Sequence, residues 1–247
     1  MSTPNPHLQA ILAKKWFGFD LDDTLHEFRK ASTKASMTVF EAIHKKFGIN
    51  MEALEVKYQE ILQTSTANAF TDGRTSTDYR RERFTQLLEA HLVDDPIEDT
   101  YINNLLEIYQ SSLRSNLTLK AGALGLLQTL RRLGKKVIVI TEGPADAQEW
   151  TAQELGLWSY IDILVTTNGI GKSKVDGLFG VVFEKYGISA DEIVYFGDNE
   201  VRDVKVAQGD GILAVLYDEK QRSQLDDCES LRIDSWEFLA LNLEPGV

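Results

Sequence analysis

Two acidic side chains with the spacing of a catalytic carboxylate pair follow a short apolar run near the start of the chain. Asp20 and Asp22 come directly after residues 16–19, a run with the length and character of a buried strand. A carboxylate at a strand end can act as a nucleophile, and a second one on the adjacent turn can protonate a leaving oxygen and later deprotonate water. The spacing favours covalent catalysis by this pair, although acidic residues after a strand also form ordinary turns and helix caps.

Polar residues suited to a phosphorylated substrate and a metal follow two later apolar runs. Thr141 and Glu142 stand where a hydroxyl and backbone N–H groups of a strand-to-helix turn can hold phosphate oxygens, although Thr141 could equally cap the next helix. Asp198 follows an apolar run and one glycine, and Asp203 lies about a turn later. Because Mg²⁺ prefers carboxylate and water oxygens, these two acids could share one magnesium site.

A glycine-rich loop between these strand ends supplies two lysines, Lys172 and Lys174. A lysine here could neutralise phosphoryl charge and hold the nucleophile as an anion. The residues alone leave open which lysine does so. Gly171-Lys172-Ser173 looks like the end of a nucleotide-binding P-loop, but that motif needs a glycine where Thr166 stands, so a P-loop is not expected.

A parallel sheet would bring these scattered residues together. Apolar runs that alternate with helical patterns predict an α/β fold with strands at 16–19, 136–140, 161–165, 193–196 and 212–216. The helical patterns between and after them lie near 121–133, 145–155, 175–186 and 201–208. Active sites of open parallel sheets lie at the carboxyl ends of the strands, which is where the polar residues stand.

A purely helical segment separates the first strand from the rest of the sheet. Helical spacing of apolar residues predicts four helices between residues 26 and 115, near 28–47, 54–62, 84–92 and 97–113. Because no strand-like run interrupts this segment, we expect an inserted helical bundle.

Composition and charge narrow the class of protein. Hydrophobic residues make up 43% and charged residues 26%, as in ordinary globular proteins. Lys and Arg number 26 against 38 Asp and Glu, a net charge of −12 that argues against a nucleic acid polymer as partner. A single cysteine, Cys228, excludes a disulfide framework and a cysteine-based zinc site.

The ends and the apolar runs of the chain bear on its location. No run is long enough to cross a membrane and no targeting segment is evident, so we expect a cytoplasmic protein, monomeric or homodimeric. Residues 1–10 are predicted to be a flexible lead-in, and residues 236–239 could cover an edge of the sheet.

Taken together, these motifs resemble the haloacid dehalogenase (HAD) superfamily, specifically its Mg²⁺-dependent phosphatases with a helical cap. The resemblance spans about residues 15–217. It implies a Rossmann-like parallel-sheet core formed by residues 1–25 and 116–247, with an all-helical cap formed by residues 26–115.

The resemblance also implies roles for individual residues. Asp20 matches the nucleophile and Asp22 the acid/base. Lys174 is preferred to Lys172 because Lys174-Val175-Asp176 looks like the family's Lys-Pro-Asp, with valine in place of proline. The implied magnesium ligands are Asp20, the backbone carbonyl of Asp22, Asp198 and, through water, Asp203. The implied phosphate-binding residues are Thr141, Glu142 and Lys174.

The resemblance implies a Mg²⁺-dependent phosphomonoester hydrolase that acts on a small phosphorylated metabolite through an aspartyl-phosphate. Family members that remove halogens lack a carboxylate at the second position, so Asp22 favours phosphoryl transfer. Two alternatives remain: an intramolecular phosphomutase of a sugar phosphate, and a catalytically idle binding module with the HAD fold.

Some residues next to the motifs have open assignments. His26 directly follows the first motif and could face the site or simply flank a turn. A cluster of cap arginines could include an anion contact, although a solvated helix face explains it as well: Arg74, Arg80, Arg81 and Arg83. The cap is expected to select the substrate, because a lid over the leaving group restricts water and supplies contacts.

The assignment of the nucleophile predicts the effect of one substitution. Asp20→Asn should reduce turnover by orders of magnitude while the protein still folds, because an amide cannot attack phosphorus as a carboxylate does. Steady-state kinetics with circular dichroism as the folding control tests this. Activity close to that of the wild type would remove Asp20 as the nucleophile.

Overall fold

Six parallel strands form one sheet at the centre of the computed structural model, which describes residues 5–65, 70–92, 96–220 and 231–243. The strands are β1 (Trp16–Phe19), β2 (Lys136–Thr141), β3 (Ile163–Thr166), β4 (Ile193–Gly197), β5 (Leu213–Tyr217) and β6 (Arg232–Ile233). Their order in the sheet is β3-β2-β1-β4-β5-β6. The parallel α/β core predicted from the sequence is therefore confirmed.

The first strand lies in the middle of the sheet, between β2 and β4. Phe19 at its end is in register with Val139 of β2 and with Phe196 of β4. The chain leaves β1 toward one half of the sheet and later returns to build the other half from β4. This change of direction at the carboxyl ends opens a crevice beside Asp20, where open α/β sheets bind ligands.

Helices cover both faces of the sheet. In chain order they are α1 (Pro6–Leu12), α2 (Phe28–Phe47), α3 (Met51–Ser65), α4 (Ser76–Glu89), α5 (Asp99–Asn116), α6 (Ala123–Arg132), α7 (Ala145–Glu154), α8 (Thr167–Ile170), α9 (Leu178–Tyr186), α10 (Val206–Gly209) and α11 (Trp236–Leu243). Apolar side chains of α6 and α11 pack on one face of the sheet, and those of α9 and α10 pack on the other. Within the described parts of the chain, no helix combines the length and the apolar character needed to cross a bilayer.

The four helices α2–α5, called the helical insertion below, have a hydrophobic core of their own. Phe40, Tyr58 and Phe84 form a contiguous aromatic group inside it, with ring centroids 5.3 Å and 6.0 Å apart. The apolar stripe of α5 faces this core, and the left-handed Gly48 ends α2. The helical segment predicted between β1 and the rest of the sheet is thus present as a bundle.

Several predicted bounds differ from the structure for local reasons. Helix α4 begins at Ser76 rather than near residue 84, because Thr75 and Asp78 form a capping box and the charged turn that follows hides the apolar spacing. The predicted helix near 175–186 is interrupted at Gly177, which has a φ of 88°. The predicted lead-in is partly wrong, since α1 starts at Pro6 with Asn5 as its N-cap.

The end of the chain packs on a face of the sheet and not, as residues 236–239 suggested, on its edge. Trp236 is fully buried, stacks on Tyr217 with ring centroids 4.2 Å apart, and meets Phe19 and Phe196 edge-on. Its indole N–H donates to the Thr24 carbonyl at 3.0 Å, which ties the tail to the turn after β1. Cys228 lies outside the described residues.

This packing predicts a large stability effect from the tail. Trp236→Ala should lower the free energy of unfolding by about 3–5 kcal/mol, because it leaves a cavity and removes the bond to the first turn. The same change at Trp158, which is 47% exposed, should cost only about 0.5 kcal/mol. Urea unfolding monitored by circular dichroism measures both; equal losses would contradict this packing.

Candidate active site

Three acidic side chains meet at the carboxyl ends of β1 and β4. Asp20, Asp198 and Asp203 each offer an oxygen, and these oxygens all lie within 4.8 Å of one another. Asp20 directly continues β1, and its N–H donates to the Phe196 carbonyl at 2.8 Å. The carboxylates predicted from strand ends far apart in the chain are therefore brought to one point.

The backbone after β4 places the Asp203 carboxylate in the cluster. Residues Glu200–Lys205 form a π-helical turn, a wide turn often found at functional sites, and Asn199 caps it by accepting from the N–H groups of Val201 and Arg202. Asp203 folds back so closely over Gly197 that a Cβ at that position would collide with its carboxyl group. Glycine before Asp198 is therefore a steric requirement of the site.

A buried lysine bridges two of these carboxylates. Nζ of Lys174 lies 2.6 Å from Oδ1 of Asp20 and 2.6 Å from Oδ1 of Asp203, and its side chain is 2% exposed. Lys172 is exposed and makes no such contact. Of the two lysines that the sequence left open, the structure thus places Lys174 in the carboxylate cluster.

The cluster contains three carboxyl groups and one lysine. Burial raises the pKa of Asp20 well above its usual value, Lys174 lowers it, and Asp203 and Asp22 raise it further. Burial also raises the pKa of Asp198 to about 6, in spite of Arg29 at 2.9 Å. Burial disfavours the Lys174 ammonium, but Asp20 and Asp203 outweigh it and hold its pKa well above the usual value.

This charge balance and the donor set fit a divalent cation. Three carboxylates within reach of one another provide the hard oxygen ligands that Mg²⁺ takes, and a second positive centre would relieve the raised pKa of Asp198. Asp20, Asp198 and Asp203 are therefore the side chains that could hold a metal.

Asp22 lies at the side of this cluster and is held from two directions. Nε2 of His26 lies 2.8 Å from its Oδ1, and the amide of Gln148 donates to its Oδ2 at 3.3 Å. His26 is fully buried, so its side chain faces the site rather than flanking a turn. The Asp22 side chain keeps 21% exposure, enough to meet a substrate.

Thr141 and Glu142 lie at the end of β2, facing the cluster. The Thr141 hydroxyl is buried and lies 3.5 Å from Oε1 of Gln148. The Glu142 carboxylate accepts the N–H of Lys174 at 3.2 Å and pairs with Arg202. Because its side chain already has these partners, a phosphate contact by Glu142 would use the backbone.

The helical insertion roofs the carboxylates and encloses a cavity of about 460 Å³. Arg29 of α2 pairs with both Asp23 and Asp198. Asp146 of α7 accepts from the N–H and the hydroxyl of Ser76, the first residue of α4, at 3.0 Å and 2.7 Å. The insertion is thus fastened to the sheet on two sides of the cavity.

Sequence reasoning missed Gln148, Asp146 and Arg29, which contact the site or fasten the insertion. Each lies on a helix and belongs to no motif. A weak signal existed for Gln148, which is polar at a position of α7 that faces the sheet and is 4% exposed. The partners that explain Arg29 and Asp146 become visible only in three dimensions.

A family model described as a haloacid dehalogenase-like hydrolase matches residues 14–209. The chain belongs to this family. The match covers the three metal-ligand candidates, Lys174 and the whole helical insertion. Hydrolases of this family generally use a divalent metal, in agreement with the acidic cluster.

Individual relatives extend over most of the chain. A ribulose-1,5-bisphosphate 5-phosphatase of Halopiger xanaduensis is 24% identical over 208 residues, 83% of this chain and 85% of the relative. A glyceraldehyde 3-phosphate phosphatase of Methanopyrus kandleri is 24% identical over 225 residues, 87% and 91% of the two chains. The structure of a HAD-hydrolase, YfnB, of Bacillus subtilis bound to magnesium is 21% identical, with a TM-score of 0.69 over 93% of this chain and 98% of that one. The predicted superfamily, fold and phosphatase class are confirmed.

The buried position of Lys174 predicts a strong effect on stability. Lys174→Met leaves Asp20 and Asp203 without their counter-ion and should lower the free energy of unfolding by about 3 kcal/mol. Lys172→Met, in the same loop, should change it by less than about 0.5 kcal/mol. Urea unfolding of the two variants gives the comparison, and a larger loss for Lys172→Met would show that the wrong lysine is in the cluster.

Proposed function

We propose that the protein is a Mg²⁺-dependent phosphomonoester hydrolase that acts on a small phosphorylated metabolite through an aspartyl-phosphate on Asp20. The main support is the position of Asp20, which lies close to Asp198, Asp203 and the Lys174 ammonium at the floor of a partly open cavity. The proposed nucleophile, a positive charge beside it and space for a substrate thus lie at the same place.

In the first step, an Asp20 carboxylate oxygen forms a bond to phosphorus while the bond from phosphorus to the leaving oxygen breaks. Asp22 gives its proton to that oxygen, so the product leaves as an alcohol. Lys174, 2.6 Å from Asp20, favours the ionised form of the attacking carboxyl group and attracts the phosphoryl oxygens. The Thr141 hydroxyl and the backbone of Glu142 complete the phosphate contacts.

In the second step, a water molecule attacks the same phosphorus. Asp22, now a carboxylate, takes the proton of this water, and the bond between phosphorus and Asp20 breaks to release phosphate. His26 and Gln148 fix the Asp22 carboxyl at 2.8 Å and 3.3 Å, so one group is positioned for both proton transfers.

Asp20, the backbone carbonyl of Asp22 and Asp198 would hold the Mg²⁺ ion, with Asp203 acting through water. When bound, the ion supplies positive charge that neutralises the phosphoryl oxygens and orients them for in-line attack. Burial raises the pKa of Asp198, and a bound cation would favour the ionised form of this carboxyl group.

The helical insertion serves as the cap in this proposal, with residues 1–25 and 116–247 as the catalytic core and 26–115 as the cap. A closed roof over Asp20 limits access of water to the acyl-phosphate and places cap side chains against the leaving group. The curated relatives named above act on a sugar bisphosphate and a triose phosphate, which supports a small phosphorylated metabolite as substrate. The cytoplasmic location and the monomeric or homodimeric state stay predictions from the sequence.

The assignment of Asp22 predicts a trapped intermediate. Asp22→Asn should lower turnover about 10²–10⁴-fold, because it removes the acid/base. With p-nitrophenyl phosphate, whose leaving group needs no proton, the first step should survive while hydrolysis slows. Intact-protein mass spectrometry with Mg²⁺ should then show one added phosphoryl group.

Two comparisons make this experiment decisive. Asp20→Asn should gain no phosphoryl group under the same conditions, and chelation of Mg²⁺ should abolish labelling of Asp22→Asn. Release of inorganic phosphate by the wild type from a panel of phosphorylated metabolites separates a hydrolase from a mutase. Labelling at a residue other than Asp20 would refute the proposed mechanism, and no turnover of any monoester would favour an idle binding module.

A further inference from the structure

Of the basic side chains that line the cavity above Asp20, Arg83 is the one with no acidic partner among the described residues. Four cationic side chains line it: Arg29, Arg83, Lys174 and Arg202. Arg29 pairs with Asp198, Lys174 with Asp20, and Arg202 with Glu142. Among the described residues, no carboxylate pairs with Arg83.

The surroundings of Arg83 hold its guanidinium but leave one end of it unsatisfied. Its Nε donates to the Ser65 hydroxyl at 2.9 Å, and its planar group lies 5.8 Å from the ring centres of both Phe70 and Tyr79. Nη2 is buried and has no hydrogen-bond partner in the part of the chain that the structure describes. Nη2 is closed to solvent, while other atoms of Arg83 line the cavity. A buried guanidinium nitrogen without an acceptor is costly, so a side-chain movement that brings Nη2 to an anion in the cavity would be favourable.

Burial lowers the pKa of Arg83, and the charged groups with the largest effects on it are tyrosines and Arg80. Arg83 nevertheless remains charged at any physiological pH. The three neighbouring arginines of the cluster have side-chain partners and do not line this cavity. Arg74 pairs with Glu82, Arg80 donates to Gln110 at 3.0 Å, and Arg81 donates to Asn103.

Tyr109 interacts electrostatically with Arg83 and also with Asp22, which lies beside the carboxylate cluster. Burial raises the pKa of its hydroxyl, Arg80 and Arg83 lower it, and Asp22 raises it, so the hydroxyl lies within electrostatic range of both ends. Tyr109 also lines the cavity. Arg83, Tyr109 and Asp22 line the same cavity of about 460 Å³, a volume that holds a small molecule.

We propose that Arg83 binds a second anionic group of the substrate, a carboxylate or a second phosphate, at the end remote from the phosphoryl group that Asp20 accepts. The planar guanidinium matches the paired oxygens of either anion, and its position in the roof sets it against the leaving group. This inference rests on the proposed function only in placing the transferred phosphoryl group at Asp20.

Because the cavity lining is mainly acidic, the loss of Arg83 should have a clear effect on the binding of anions. Acidic side chains outnumber basic ones around the cavity, and they repel a substrate with an extra negative charge: Asp20, Asp22, Asp23, Glu55, Glu142, Asp198 and Asp203. Without Arg83, a substrate with two anionic groups should bind no better than its analogue with one anionic group. Replacement of Arg83 should therefore abolish or reverse the preference.

Matched ligand pairs test the inference by binding. 3-Phosphoglycerate and glycerol 3-phosphate differ only by a carboxylate in place of a hydroxymethyl group, as do 6-phosphogluconate and sorbitol 6-phosphate. Fructose 1,6-bisphosphate with fructose 6-phosphate tests a second phosphate. Calorimetry with Asp20→Asn and Mg²⁺ measures dissociation constants without turnover.

We expect the more anionic member of at least one pair to bind about tenfold tighter or more. Adding Arg83→Met should abolish or reverse this preference, and Arg83→Lys should retain part of it because the charge remains. Arg81→Met, on the same helix but outside the cavity, should leave the preference intact. A preference within the 3-phosphoglycerate or 6-phosphogluconate pair would indicate a bound carboxylate, and a preference within the fructose phosphate pair would indicate a second phosphate.

The outcomes separate this inference from the proposed function. If no pair shows a preference, or if Arg83→Met leaves the preference unchanged, the inference is wrong even if the wild type hydrolyses monoesters. If the preference depends on Arg83 but the wild type releases no phosphate, the anion site stands and the phosphatase proposal fails. Circular dichroism of Arg83→Met confirms that a lost preference does not come from unfolding.

Discussion

The cluster of carboxylates around the Lys174 ammonium is the constraint on which the rest of the structure depends. Bringing Asp20 and Asp203 together out of water is unfavourable, and one buried lysine at 2.6 Å from each makes it possible. Three carboxyl groups share this one ammonium. The fold thus holds a site with more acidic than cationic groups, whose oxygens suit a divalent cation.

The sheet makes this cluster possible by the order of its strands. Because β1 lies between β2 and β4, three segments far apart in the chain end side by side, with Phe19 in register with both Val139 and Phe196. The local backbone then allows the carboxyl groups on these segments to come close together. Gly197 admits the Asp203 carboxyl group, and the π-helical turn after it points that group back toward β1. Rigid strands and tight turns together position the side chains.

The helical insertion converts an open edge of the sheet into a chamber. It has an apolar core of its own, against which Trp150 of α7 also packs, and polar contacts such as Ser76 with Asp146 hold it over the site. The acidic cluster lies at the sheet edge, and the insertion supplies the opposite wall of the cavity.

The sequence by itself determined β1–β5, the four helices of the insertion and the acidic residues of the cluster, because apolar periodicity and strand-end residues are local signals. It did not predict β6, which is only two residues long. Lys174 could be preferred to Lys172 only by resemblance. Tertiary structure decided that Lys174 is buried between two carboxylates, that His26 and Gln148 hold Asp22, and that Arg83 alone among its neighbouring arginines enters the cavity. These facts depend on distances between segments that one chain's local pattern does not encode: two arginines on one helix look alike in sequence, and only packing separates the one that faces a cavity from the one that faces water.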